Sequence, residues 1–204
     1  QAKRVDSPHF NIPHFSRRHF LAAIAAGVSL PLIGKVLSGH AGIVQKKVLR
    51  PPGALNEPDF ISKCISCGAC MKVCVGNALH PCLFEAGLEG MAAPQLIPRI
   101  GYCVFNCNLC GRVCPTSAIK KLSLDKKQKF VIGTASVNKN KCLTYKGTEC
   151  LMCEGICPVS PKAIKIIKDT IDHPLVDKNL CIGCGACEHV CPVEGEAAIR
   201  VKKL

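Results

Sequence analysis

The chain has 204 residues, of which 17 are cysteine, with two Tyr, seven Phe and no Trp. So much cysteine with so little aromatic bulk excludes a conventional apolar core as the sole source of stability, and the mixed composition excludes collagen-like, coiled-coil and disordered chains. The net charge of +13, from 27 Lys and Arg against 14 Asp and Glu, brings nucleic acid to mind, but the basic residues are dispersed and show no finger spacing or aromatic–basic stripe, so no nucleic-acid partner is expected.

The N-terminal segment reads Ser16-Arg17-Arg18-His19-Phe20-Leu21, followed by the apolar run LAAIAAGVSLPLIG. A twin arginine ahead of an apolar stretch is the pattern of a twin-arginine export signal, which carries proteins already folded around a cofactor. The apolar run extends from Phe20 to Ser38, interrupted by Pro31 and Lys35. It approaches the roughly 20 residues that span a bilayer, and Lys35 can snorkel outward. Gly39-His40-Ala41 is a weak cleavage site. Residues 1–41 are therefore expected to be a signal retained as a membrane anchor, with Arg17 and Arg18 on the cytoplasmic side. His9, His14 and His19 stand at five-residue intervals and read as loop residues. Residues 42–58, which contain Arg50-Pro51-Pro52-Gly53-Ala54, read as a stiff Pro-rich linker.

Residues 59–204 hold four cysteine runs. The first is Cys64, Cys67, Cys70 and Cys74, and the second is Cys103, Cys107, Cys110 and Cys114. The third is Cys142, Cys150, Cys153 and Cys157, and the fourth is Cys181, Cys184, Cys187 and Cys191. The first and fourth have the C-x2-C-x2-C-x3-C spacing of bacterial [4Fe–4S] loops. The second and third stretch only the first interval, to x3 and x7. Three closely spaced cysteines can wrap one cubane, while the fourth points away and serves a neighbouring one. Small residues such as Gly68, Ala69, Gly183, Gly185 and Ala186 let the backbone approach the cofactor. Pro115, Pro158 and Pro192 follow three of the runs, where the first has Val75. Zinc ribbons use two separated C-x2-C pairs, and disulfides need no such triplets. The expectation is four [4Fe–4S] clusters held by these sixteen cysteines. Four anionic cubanes of about −2 each would also offset much of the positive charge. Cys82 has no partners at ligand spacing and reads as a small buried thiol, with a substitute ligand as the alternative.

The chain also repeats outside the ligands. Val137-Asn138-Lys139-Asn140-Lys141-Cys142 parallels Val176-Asp177-Lys178-Asn179-Leu180-Cys181. Asn77-Ala78-Leu79, Ser117-Ala118-Ile119, Lys162-Ala163-Ile164 and Ala197-Ala198-Ile199 follow the four runs. Each unit reads as strand, ligand loop, short helix, strand, and the tails AIKIIK and AIRVKK alternate as half-buried strands do. The fold expected is α+β, with two ferredoxin-like two-cluster domains behind one N-terminal signal or anchor helix. The intervals leave open whether neighbouring runs pair (first with second, third with fourth) or nest (first with fourth, second with third). By analogy with other four-cluster relay subunits, the reading leans to nesting.

An export signal, then Arg-Pro-Pro-Gly-Ala, then four cubane motifs with a seven-residue first interval in the third, together resemble the NapG/MauM-type periplasmic ferredoxins. The resemblance extends from Ser16 onward. It implies an electron relay on the periplasmic face of the cytoplasmic membrane. Its partners would be a polytopic, quinol-oxidising membrane protein and a periplasmic cytochrome c or reductase. No dinucleotide loop or nucleophile–base constellation is evident in the sequence, so an electron carrier is expected rather than an enzyme, with no catalytic residues. Two alternatives come from other classes. One is the iron–sulfur subunit of a larger oxidoreductase, such as a molybdopterin enzyme; the other is a maturation factor that hands clusters on.

Overall fold

A computed structural model describes residues 48–169 and 171–203, all within one compact unit formed by residues 45–204. The expected signal and anchor of residues 1–41 lies outside the described residues. Among the described residues no helix is long and apolar enough to cross a membrane.

The unit is built from two halves of the same plan. In the first, helix α1 (Glu57–Lys63) precedes the ligand loop. Pro58 stands in its first turn with Glu57 and Asp59, and Lys63 ends it, so ring geometry and charge both suit the helix dipole. Helix α2 (Ala69–Lys72), strands β1 (Leu79–Pro81) and β2 (Pro94–Leu96) and helix α3 (Leu109–Val113) follow. Strands β1 and β2 pair antiparallel, Leu79 opposite Leu96. An isolated bridge between Ala54 and Ile119 closes the half, joining the chain before the first cysteine run to the chain after the second.

Helix α4 (Leu124–Gln128) leads into the second half. Strand β3 (Thr134–Val137) pairs antiparallel with β6 (Ile199–Lys202), and β4 (Ile164–Ile167) with β5 (His173–Val176). Helices α5 (Met152–Gly155) and α6 (Ala186–His189) complete it. The outer pair encloses the inner pair in sequence, as the Ala54–Ile119 bridge encloses β1 and β2. In β6, Ile199 and Val201 are buried while Arg200 and Lys202 face outward, the alternation read from the AIRVKK tail.

The four-fold repeat has a packing reason. Ala78, Ala118, Ala163 and Ala198 are each at most 2% exposed, and Leu79, Ile119, Ile164 and Ile199 behind them are buried. The small residue lets the chain pass close to the ligand loop, and the branched one fills the core. One apolar cluster runs through both halves. It includes Leu49, Phe60, Leu79 and Leu96 with Ile132, Ala135, Ile164 and Val201, and partly buried cysteines of all four runs pack against it.

The reading of residues 42–58 as a linker does not hold for their described part. Residues 48–53 are buried, Ala54 forms the bridge to Ile119, and α1 begins at Glu57. Pro51 and Pro52 are accommodated because their neighbours supply the donors: Ala54 N–H reaches Pro51 O at 3.1 Å and Lys120 N–H reaches Gly53 O at 2.8 Å.

Candidate iron–sulfur centres

All seventeen cysteines lie among the described residues and none is in a disulfide. Sixteen of them line four cavities, four to each. The first quartet is Cys64, Cys67 and Cys70 with Cys114. The second is Cys103, Cys107 and Cys110 with Cys74. The third is Cys142, Cys150 and Cys153 with Cys191, and the fourth is Cys181, Cys184 and Cys187 with Cys157. Each run thus supplies three cysteines to its own cavity and the last to its neighbour's. The exchange is between adjacent runs, first with second and third with fourth. That corrects the leaning towards nesting, because the strand pairs close around neighbouring runs and leave the first and fourth in different halves.

The quartets are alike in build. Their cavities open partly to solvent and, besides the cysteines, are lined mostly by apolar residues. Helices α2, α3, α5 and α6 each contain the third cysteine of a run and end just before the fourth, so one turn sends the two thiols to different cavities. Gly68 and Gly185 precede α2 and α6 with φ of 74° and 86°. That left-handed conformation bends the loop around its cavity and strains any side chain with a Cβ.

Electrostatics tests whether these donors suit a cationic core. Burial first, and then the charge of neighbouring cysteines, pushes the Cys70, Cys153 and Cys184 thiols up to about 11 and Cys110 up to about 12. Cys187 is raised for the same reasons. Thiolates so close together in a partly buried cavity repel one another, and a multiply charged metal core is what makes four of them compatible. Backbone donors are aimed at the sulfurs: Ala78 N–H at Cys74 Sγ (3.3 Å), Ile119 N–H at Cys114 Sγ (3.5 Å) and Ala135 N–H at Cys181 Sγ (3.4 Å). At Cys114 burial opposes ionisation, but the backbone N–H groups and Thr116 outweigh it and hold the thiol below its ordinary value. Among the described residues no group of three or more His, Cys, Asp or Glu is set to grip a single metal ion. The donor set fits an iron–sulfur core: soft thiolates, four to a cavity, with N–H groups on the sulfurs.

Cys82 lines none of the four cavities. It is 1% exposed, packed with Val48 and Ala86, and Arg50 Nη1 lies 3.5 Å from its sulfur. Two further side chains were not singled out from the sequence. Lys127 is 2% exposed, and its ammonium donates to the carbonyls of Val104 (2.5 Å) and Phe105 (2.9 Å), beside Cys103. Arg99 crosses from the first half to the second, donating to Cys191 O (2.7 Å), Val193 O (2.6 Å) and Glu188 O (3.3 Å). Neither has a motif around it; Lys127 is one lysine of several in LDKKQK.

A 4Fe–4S binding domain model matches residues 174–195, which contain the fourth run. Over 199 residues the chain is 37% identical to the methylamine utilization ferredoxin-type protein MauM of Methylorubrum extorquens, covering 91% of this chain and 88% of that one. It is 31% identical to the ferredoxin-type protein NapG of Escherichia coli, covering 94% and 87%. Among solved structures, a chain of the formate dehydrogenase–heterodisulfide reductase–formylmethanofuran dehydrogenase complex from Methanospirillum hungatei matches at 24% identity, covering 71% of this chain and 51% of that one, with a TM-score of only 0.25. With the ligand runs, the repeated halves and relatives of this extent, the chain belongs to the MauM/NapG family of ferredoxin-type iron–sulfur electron-transfer proteins.

Proposed function

We propose that each quartet holds one [4Fe–4S] cubane, four in all, with the sixteen cysteines as ligands, and that the chain relays electrons between two partners. The observation that carries this reading is the division of sixteen cysteines into four similar cavities, three from one run and one from its neighbour. A cubane supplies reversible one-electron chemistry. The protein holds the thiolates, excludes water around them and sets the local field through N–H groups and the buried Lys127.

The donor in this reading is a polytopic quinol-oxidising membrane protein and the acceptor a periplasmic cytochrome c or reductase. Residues 1–41 tether the chain to the periplasmic face of the membrane. The twin-arginine pattern of Ser16–Leu21 supports export after cofactor insertion, and the family resemblance supports the partners. Anaerobically purified protein is expected to contain about sixteen irons and as many acid-labile sulfides per chain. Zinc, or about half that iron, would refute the assignment. N-terminal sequencing of membrane-bound native protein is expected to find residues upstream of Arg17; a mature start near Gly42 with release by a salt wash would refute the anchor.

A further inference from the structure

Helices α2 and α3 pack together, which brings Cys70 of the first quartet near Cys110 of the second. Helices α5 and α6, which carry Cys153 of the third quartet and Cys187 of the fourth, pack in the same way. Between the halves, the backbone N–H of Cys103 in the second quartet donates to the carbonyl oxygen of Cys184 in the fourth, at 2.8 Å.

That junction is sealed by apolar and aromatic groups. Ile182, Cys184 and Ala186 are buried against Tyr102, Cys103 and Phe105. The Tyr102 ring centroid lies 5.4 Å from that of His189. The fourth quartet is also the most enclosed: Cys181, Cys184 and Cys187 are buried, whereas Cys67 of the first is exposed. The first half reaches the third quartet through Arg99, whose guanidinium takes the carbonyl of Cys191.

We propose that the quartets form a linear relay in the order first, second, fourth, third, with the Cys103–Cys184 peptide contact as the bridge between the halves. This rests on the reading that each quartet holds a cubane. Transfer between neighbours moves one electron, oxidising one centre and reducing the next, with no bond made or broken. Because tunnelling weakens exponentially with distance, the order in space decides which centres exchange electrons. The two external partners then address the first and third quartets, at the ends, while the fourth run, last in the sequence, serves an interior centre.

Electron paramagnetic resonance of the fully reduced full-length chain tests the order. Each ligand variant is checked by iron analysis for loss of about four irons, one cubane. In Cys181→Ala the third quartet loses its neighbour, so an uncoupled signal of about one spin per chain is expected beside a coupled pair. In Cys150→Ala three contiguous centres remain and no uncoupled signal is expected. The reverse result, which the sequence order would give, overturns the proposal, as does the same spectrum from both variants. If either variant fails to fold, anomalous scattering from iron in the loaded wild-type protein decides: the fourth centre must lie between the second and the third. Wild-type protein that loads fewer than four cubanes overturns the underlying reading, whereas full loading with the third centre in the middle overturns the order alone.

Discussion

The guanidinium of Arg50 lies 4.6 Å from the centroid of the Phe60 ring, which is itself fully buried. The same guanidinium pairs with Glu57 (2.5 Å) and donates to Pro94 O (2.8 Å), and Lys203 reaches Glu57 from the far end of the chain (2.9 Å). Arg-Pro-Pro-Gly-Ala is therefore a clasp: its arginine ties α1 to β2, and Glu57 in turn holds the C-terminal segment through Lys203. Burial acts to raise the Glu57 carboxyl, but Arg50 and Lys203 outweigh it and hold the group below its ordinary 4.5. A lowered carboxyl stabilises fully above that ordinary value and loses the contribution as pH falls through the lowered one. The stability gap between wild type and Glu57→Gln, read as the anaerobic urea midpoint of cluster bleaching, is expected to stay constant across neutral pH. It should shrink only below about 4.5; a gap that changes near neutrality would contradict the pairing.

Lys127 places a buried ammonium beside the second quartet, where it partly offsets the effect of burial on Cys103. Lys127→Met keeps the stem but leaves the Val104 and Phe105 carbonyls unpaired, at about 1–3 kcal/mol of stability. Removing a nearby positive charge disfavours reduction, so one of the potentials of the proposed four-centre relay should fall by some tens of millivolts while the others hold. Lys127→Arg is the control that keeps the charge. Potentiometric titration in which no component moves would remove Lys127 from the electrostatics of the centre.

Cys82 is buried outside every quartet. Cys82→Ala is expected to leave the iron content unchanged and to cost about 1 kcal/mol for a small cavity. Loss of about four irons would make Cys82 a ligand instead.

Ala198 is 2% exposed, and its carbonyl accepts from Asn138 N–H at 2.7 Å. Ala198→Leu would force extra volume between β6 and the third quartet, costing about 1–3 kcal/mol. Differential scanning calorimetry of the loaded protein should show a lower Tm. An unchanged Tm would mean that the repeated alanine is not needed for close packing.

Chelation of the iron is expected to unfold residues 48–203. The longest described helix has seven residues and the described strands have three or four. Isolated helices below about 12–15 residues are marginal in water, and cofactor binding then supplies folding free energy. Far-ultraviolet circular dichroism should collapse as the iron–sulfur absorbance bleaches. Native-like spectra after iron loss would show that the apolar core alone suffices.

Ligand spacing is a local property, because three thiols must converge within one loop. The four runs, their cofactor class and the outward-pointing last cysteine are therefore legible in the residues themselves. So is the repeated Ala-Ile or Ala-Leu step, since every unit must pass its strand close to a cavity, which the fold makes that of the neighbouring run. Which run exchanges its last cysteine with which depends on contacts between segments far apart in sequence, and the strand pairing decides it: Ala54 with Ile119, β3 with β6. The burial of Arg50 and Lys127 is decided there as well, since neither residue type announces burial and each is held by carbonyls distant in the sequence. The meeting of Cys103 and Cys184 has the same origin. A hydrogen bond between peptides 81 positions apart leaves no mark on composition or period, and arises only when two folded halves share one core.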